Sequence, residues 1–248
     1  MKQLPDKIKR RIAALRKMAA DSSSENEAMI ASRQLFMLMA KYGIDEFELE
    51  EDGAEIKTDR MDYDHKTQGL WTGIIAKNVS ALYFCHCYQS TNGRKGKDLK
   101  RFYHITGSNN YRGAAIMITK AVIQAVDLAS RQLCAGRLEH TDPWAFICSF
   151  RIAAAVRISA RCQEMIAEAC KGEMKDDDGT NLPVLQPMYD REEKAIKSFL
   201  DGNGLKLGEN RQKAAQSAQE GTQAGRAFGN GVNLRQSIGQ THSQLRLK

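Results

Sequence analysis

A chain of 248 residues with 42% hydrophobic and 27% charged residues is long enough for a sizeable core and ordinary enough in composition to exclude wholesale disorder. Its net charge of +7 is mild but clustered, which points toward polyanionic partners. No continuous apolar run reaches the roughly 18 residues of a membrane span, and the basic N-terminus lacks the apolar stretch of a secretory signal. A cytoplasmic protein with no membrane partner is therefore expected. Cys85, Cys87, Cys134, Cys148, Cys162 and Cys170 then read as free, mostly buried thiols.

The first helix is predicted over residues 5–20. Pro5 suits a first turn, and Ile8, Ile12, Leu15 and Met18 make one apolar stripe. Lys7, Lys9, Arg10, Arg11, Arg16 and Lys17 fill the remaining faces. Ser24 and Glu27 have the spacing of a capping box and open a second helix over residues 25–42, with Gly43 as its stop. Two amphipathic helices joined by a short loop form an antiparallel hairpin. The acidic stretch 45–53 reads as a linker.

A third helix is expected over residues 68–80. The period then changes. Residues 82–88 (LYFCHCY) are aromatic-rich and strand-like, residues 91–98 (TNGRKGKD) carry the Asn-Gly turn signal, and residues 102–106 (FYHIT) form the returning strand, closed by Gly107. A long helix follows over residues 110–135. Asp142 before Pro143 is an N-cap signal for another, ending near Lys171. A further helix is expected over residues 189–200. Beyond Gly202 the composition shifts to Gln, Ala, Gly and Ser. A weaker last helix over residues 209–228 would stack Gly221, Gly225 and Gly229 on one face for close packing, the alternative being a mobile tail.

The expected fold is mainly α, of the α+β kind. An N-terminal helical hairpin (1–52) is followed by a helix–β-hairpin–long-helix core with further helices (65–202) and a basic Gly/Gln-rich C-terminal helix or tail (203–248).

The first module, KIKRRIAALRKMAADSSSENEAMIASRQLFMLMAKYGIDEFEL, resembles the family of phage and bacterial proteins known as the domain of unknown function 2786. Lys7, Ile8, Leu15, Ala19, Asn26, Glu27, Ala28, Met39, Ala40, Tyr42, Gly43 and Ile44 carry the resemblance. The rest is similar to the domain that usually follows it, through the aromatic hairpin, TGSNNYRGAAIMI, SFRIAAAVRI, YDREE and AGRAFGNGVNL. Relatives tend to have a histidine where this chain has Ser108. The resemblance implies a phage or prophage origin and no catalytic residues.

Three chemistries can be weighed from the residues themselves. Cys85, Cys87 and His104 contain zinc-ligand types, but CxC is a poor match to the usual zinc-knuckle spacing, so no metal is assigned. No HExxH, P-loop or dinucleotide fingerprint is present, no spacing suggests a nucleophilic triad, and no cofactor is expected. The acidic run 176–178 reads as solvated. Arg157 and Arg161, one turn apart, form either a phosphate-facing row or pairs with Glu164 and Glu168. The basic clusters are the better lead. Lys9, Arg10, Arg11, Arg94, Lys95, Lys97, Lys100, Arg101, Arg226 and Arg235 are candidate phosphate contacts, and Tyr103 is a candidate stacking ring. The expected function is low-specificity binding of DNA or RNA. The alternatives are a protein-interaction module that engages a host protein or forms a homo-oligomer, for instance through the first hairpin or the glycine face of the last helix, and a small metal-dependent enzyme.

Overall fold

A computed structural model describes residues 6–20, 34, 38, 55–61, 69–92, 100–136, 142–173, 184–205, 207–208, 218–232 and 234. The elements in chain order are α1 (Asp6–Ala20), β1 (Ile56–Met61), α2 (Leu70–Leu82), β2 (His86–Asn92), β3 (Lys100–Ser108), α3 (Asn109–Ala135), α4 (Pro143–Lys171), α5 (Gln186–Gly202) and α6 (Gln219–Gly231). The protein is mainly helical with one small antiparallel sheet, as expected. Of the expected second helix, only residues 34 and 38 are described. Both are helical, and Leu38 packs half-buried on the core.

The sheet has the order β1-β3-β2. β2 and β3 are the expected hairpin, but its first strand begins later. The residues of LYFCHCY up to Cys85 finish α2 and turn. Phe84 takes a left-handed φ of 55° there, an unfavourable conformation for a bulky residue, and its buried ring contacts Tyr111 and Tyr189 at 5.0 and 4.3 Å. β1 is a strand that the sequence does not predict. It falls between the first two predicted domains and pairs with β3 from Ile56↔Ser108 to Met61↔Tyr103.

One face of the sheet is core. Met61, Cys87, Tyr103 and Ile105 are buried there with Trp71, Ile75 and Val79 of α2. The Tyr103 hydroxyl and Thr72 Oγ1 share a 2.7 Å hydrogen bond. α3 joins the same face: Arg112 donates to Asp59 of β1 at 2.6 Å and to the Gly107 carbonyl at 3.1 Å. Gly107 has no room for a side chain, since a Cβ would meet Cys85 Sγ at 2.5 Å. Ser108 is fully buried. Over Tyr111–Ala135, α3 is long and apolar enough by length and composition to cross a membrane, a test that the core helix of a soluble protein also passes, and half of its apolar 18-residue window is buried inside the protein.

α4 starts as predicted, with the Asp142 carboxylate accepting from Trp144 N at 2.9 Å, and it ends on Gly172 in the left-handed region at φ 72°. It packs on α2, α3 and α6. α6 lies inside the segment whose composition resembles a tail. Gly221, Gly225 and Gly229 are its buried positions, and they meet the α4 backbone directly. A Cβ at Gly221 would reach the Phe146 carbonyl oxygen at 2.5 Å, one at Gly225 would overlap that of Phe150, and one at Gly229 would meet Arg157 Cβ at 2.9 Å. The glycine stacking is therefore used within the chain. The glycine face expected to offer a self-association surface meets α4 of the same chain. Arg157 and Arg161 also serve this contact. Arg161 donates to the carbonyls of Gly229 (2.8 Å) and Val232, and Arg157 donates to Asn230 Oδ1 and to Glu164 at 2.9 Å. Cations at a helix C-terminus meet its unsatisfied carbonyls.

Gly225→Ala is expected to lower stability by about 1–3 kcal/mol, the usual effect of overpacking. That outweighs the ~1 kcal/mol by which alanine normally improves a helix over glycine. Gly113, exposed in α3 with nothing near its missing Cβ, is the control. Gly113→Ala should stabilise by about 0.5–1 kcal/mol. Thermal unfolding of the two variants side by side checks this; shifts of the same sign would contradict the close helix contact.

Candidate nucleic-acid interface

Alternation along the strands puts a second set of side chains on the outer face of the sheet. The register sets Arg60 and Tyr88 on either side of His104, Thr58 and His86 on either side of Thr106, and Ser90 beside Phe102. The Tyr88 and His104 rings are stacked, with centroids 4.8 Å apart and planes 11° from parallel. Ser90 Oγ holds His104 Nε2 at 2.7 Å. The Arg60 guanidinium lies 5.0 Å over the Phe102 ring, within cation–π range. Tyr88, Phe102 and His104 are half-buried and Arg60 is exposed.

The two ends of this face differ. α5 contacts β1 and β3, and the outward Thr106 and Ser108 are fully buried. His86 lies at the same end and feels Glu193 of α5. The ring-bearing end stays half-open.

Tyr103, the expected stacking ring, is only 2% exposed and belongs to the opposite, core face. Its hydroxyl is bound to Thr72, so it cannot receive a base. Arg101 is half-exposed and, by the same alternation, on the Tyr103 side. Arg10 and Arg11 are exposed on α1, and Arg226 is exposed on α6. Lys9 and Lys100 begin or sit within elements, but their side chains lie outside the described residues, as do Arg94, Lys95, Lys97 and Arg235 entirely. The acidic run 176–178 is outside them too. Charge and composition point to the rings of the hairpin as a group, without separating Tyr88 and Phe102 from Tyr103, and do not mark Arg60. The signal that could have found them is the alternation of FYHIT, where Tyr103 and Ile105 share one side and Phe102 and His104 the other.

The weak metal set is not assembled. Cys87 pairs with Ile105 on the core face, while His104 stands on the outer face. Among the described residues no three metal-ligating side chains gather. Burial pushes the Cys87 and Cys162 thiols up to about 12, which keeps them protonated and unreactive. A shallow groove of about 440 Å³ runs between α4 and the start of α5, lined by Gln163, Ile166, Ala167, Cys170, Lys171 and Gln186. It is mostly apolar and brings together no acid–base pair.

Burial lowers the His104 pKa, and the neighbouring Arg60 charge adds to the effect. Burial likewise lowers His86, with Lys77 adding and Glu193 opposing. Each imidazole is therefore harder to protonate in the folded protein than in the unfolded chain, whose value is about 6.5. The folded state is at no disadvantage above that pH and loses stability as pH falls through it. Melting temperature should drop between about pH 7.5 and 5.5, and His86→Gln/His104→Gln should shrink the drop; an unchanged slope would contradict the assignment. Thiol labelling of the native protein should reach the half-buried Cys148 and Cys170 before Cys87 and Cys162.

Residues 7–46 match the family model described as protein of unknown function (DUF2786). Neither the curated proteins nor the solved structures contain a match to the chain. The matched segment opens with α1, whose Ile12 and Leu15 are buried in the core and whose Arg10 and Arg11 are exposed. Over this segment the chain is similar to the DUF2786 family.

Proposed function

We propose that the protein binds nucleic acid with low sequence specificity, as a phage- or prophage-encoded accessory protein of the host cytoplasm. The single observation that carries this reading is the half-open end of the outer sheet face, where Tyr88, His104 and Phe102 stand with Arg60. Rings offer stacking surfaces to any base, and cations track phosphates without reading sequence. Arg10 and Arg11 on α1 and Arg226 on α6 supply exposed positive charge elsewhere. The sequence adds Arg94, Lys95 and Lys97 to the link between β2 and β3.

A second reading, a protein-interaction module, has one observation in its favour. Trp144, at the start of α4, is 70% exposed, and tryptophan is enriched among interface anchors. It offers one ring where the sheet face offers several with a cation. The metal-enzyme alternative gains nothing from cysteines and a histidine on opposite faces of a sheet.

Binding of labelled single- and double-stranded DNA and RNA should be measured by anisotropy from about 50 to about 200 mM salt. About four phosphate contacts predict a log–log slope near −3 on single strands. Arg10→Glu/Arg11→Glu should weaken binding to all sequences and flatten that slope by about 1 for each phosphate that is no longer neutralised. No binding to any of these nucleic acids at the lowest salt refutes the reading.

A further inference from the structure

We infer that α1 docks in the major groove of a DNA duplex, with one row of cations toward each phosphate backbone, so that the protein prefers B-form DNA to double-stranded RNA. This rests on the nucleic-acid reading above. It names the form of nucleic acid and the element that receives it.

One side of α1 is embedded and the other is free. Ile12 and Leu15 are buried in the core, with Ile8 half-buried beside them. Lys7, Arg10, Arg11, Ala13, Ala14 and Lys17 are exposed. At about 100° per residue these exposed positions sweep about 160° of the helix, so nearly half of its circumference faces solvent.

That free side has an internal order. On the helical wheel Arg10 and Lys17 fall about 20° apart, Lys7 and Arg11 about 40° apart, and the two rows about 90° from each other. Ala14 lies midway between the rows. The four cations extend over about 15 Å of the helix axis, at about 1.5 Å per residue. α1 carries a single acid, Asp6, at its first position. No ion pair among the described residues involves any of the four cations. Their charge is available to an external anion.

Two diverging rows of cations with a small residue between them fit a ligand that has two anionic walls and a floor. The major groove of B-DNA is about 12 Å wide and admits a helix of about 10–12 Å diameter, whereas its minor groove, at about 6 Å, does not. The major groove of A-form RNA is deep and narrow and closed to side chains. A single strand presents one backbone and leaves one row without a partner. Ala14, the residue facing the groove floor, has no hydrogen-bonding group for base edges. Phosphate contacts then position the helix without reading sequence, which agrees with low specificity.

The test uses the full chain and anisotropy at about 50 mM salt, where phosphate contacts are strongest. The ligands are a DNA duplex of about 20 base pairs, the RNA duplex of the same sequence, and the DNA duplex with its cytosines replaced by glucosylated 5-hydroxymethylcytosine, which fills the major groove. The plain DNA duplex should bind at least about tenfold more tightly than either of the others. Lys7→Gln/Arg10→Gln/Arg11→Gln/Lys17→Gln should weaken the plain duplex at least about tenfold and flatten its log–log salt slope by about 3 to 4. Ala14→Glu, which sets a carboxylate against the groove floor, should weaken it about tenfold. Ala13→Glu makes the same charge change on the same exposed helix about 100° away and should weaken it no more than about twofold, which separates docking from net charge and from a folding defect. Equal affinity for the DNA and RNA duplexes, indifference to the filled groove, or equal effects of the two glutamates overturns major-groove docking while leaving general nucleic-acid binding in place. Failure to bind any of these ligands, or the single strands, overturns both.

Discussion

A guanidinium buried among three helices has to be answered by each of them, and Arg151 is. It is 8% exposed on α4. Asp127 of α3 takes its Nη2, Ser130 of α3 takes its Nε at 3.1 Å, and the Trp71 ring of α2 lies 5.5 Å from its carbon centre. Asp127 is itself held by Arg131 at 3.1 Å, and the Ser130 hydroxyl donates to the Asp127 carbonyl. Burying a charge is unfavourable unless its partners are in place, and removing one partner of such a pair costs about 3–5 kcal/mol. The arrangement therefore penalises a slide or rotation of α4 against α2 and α3. α2 and α3 are in turn the helices that cover the sheet, so this junction sets where the sheet lies relative to the helical layer.

The other side of α4 solves the opposite problem. There the neighbour is α6, and the contact is made by removing side chains. Gly221, Gly225 and Gly229 let the α6 backbone rest on the carbonyls of Phe146 and Phe150 and on the stem of Arg157. A helix rich in glycine is intrinsically poor. It is held by neighbours: Ala218 N donates to Ser149 Oγ at 3.0 Å at its start, and Arg161 takes the carbonyls of Gly229 and Val232 at its end. Both termini of α6 are thus satisfied by side chains of α4. The composition that resembles a mobile tail is the composition a close helix contact requires.

The contrast explains what is legible in the sequence. Local signals read well. Asp142–Pro143 and Gly172 bound α4, the glycine spacing implies the stacked face, and the free buried thiols follow from cysteine count and context. β1 is not legible, because Ile56–Met61 reads IKTDRM, with Met61 alone deeply buried and two of six positions half-buried. Its strand character comes from pairing with β3, a partner about fifty residues away. The start of β2 is misplaced for a related reason. Tyr83 and Phe84 have strand-like side chains, yet they are recruited to the core at the end of α2, with Phe84 held in a left-handed backbone by rings from α3 and α5. The roles of Arg151, Arg157 and Arg161 are long-range, and a helical wheel shows only that they are basic.

The candidate site turns on one bit of information, which side of FYHIT is inside. Both parities carry a ring, so composition does not decide between Tyr103 with Ile105 and Phe102 with His104. Tertiary contacts decide it. Thr72 accommodates the Tyr103 hydroxyl, Gly73 leaves its missing Cβ position 3.4 Å from that oxygen, and Gly107 admits Cys85, all on the Tyr103 side. Once that face is filled by α2 and α3, the other carries Tyr88, Phe102, His104 and Arg60 by register alone. α5 then meets only one end of it, where Thr106 is buried. A small three-stranded sheet with a helical layer on one face and a partial cover on the other leaves a ring-and-cation surface at its open end. On the nucleic-acid reading, that division separates two tasks. Scattered arginines attract any polyanion, whereas the sheet end adds rings beside a cation. Selectivity would then come from the fold and affinity from the charge, which is why clustered charge alone, visible in the sequence, is insufficient to locate the site.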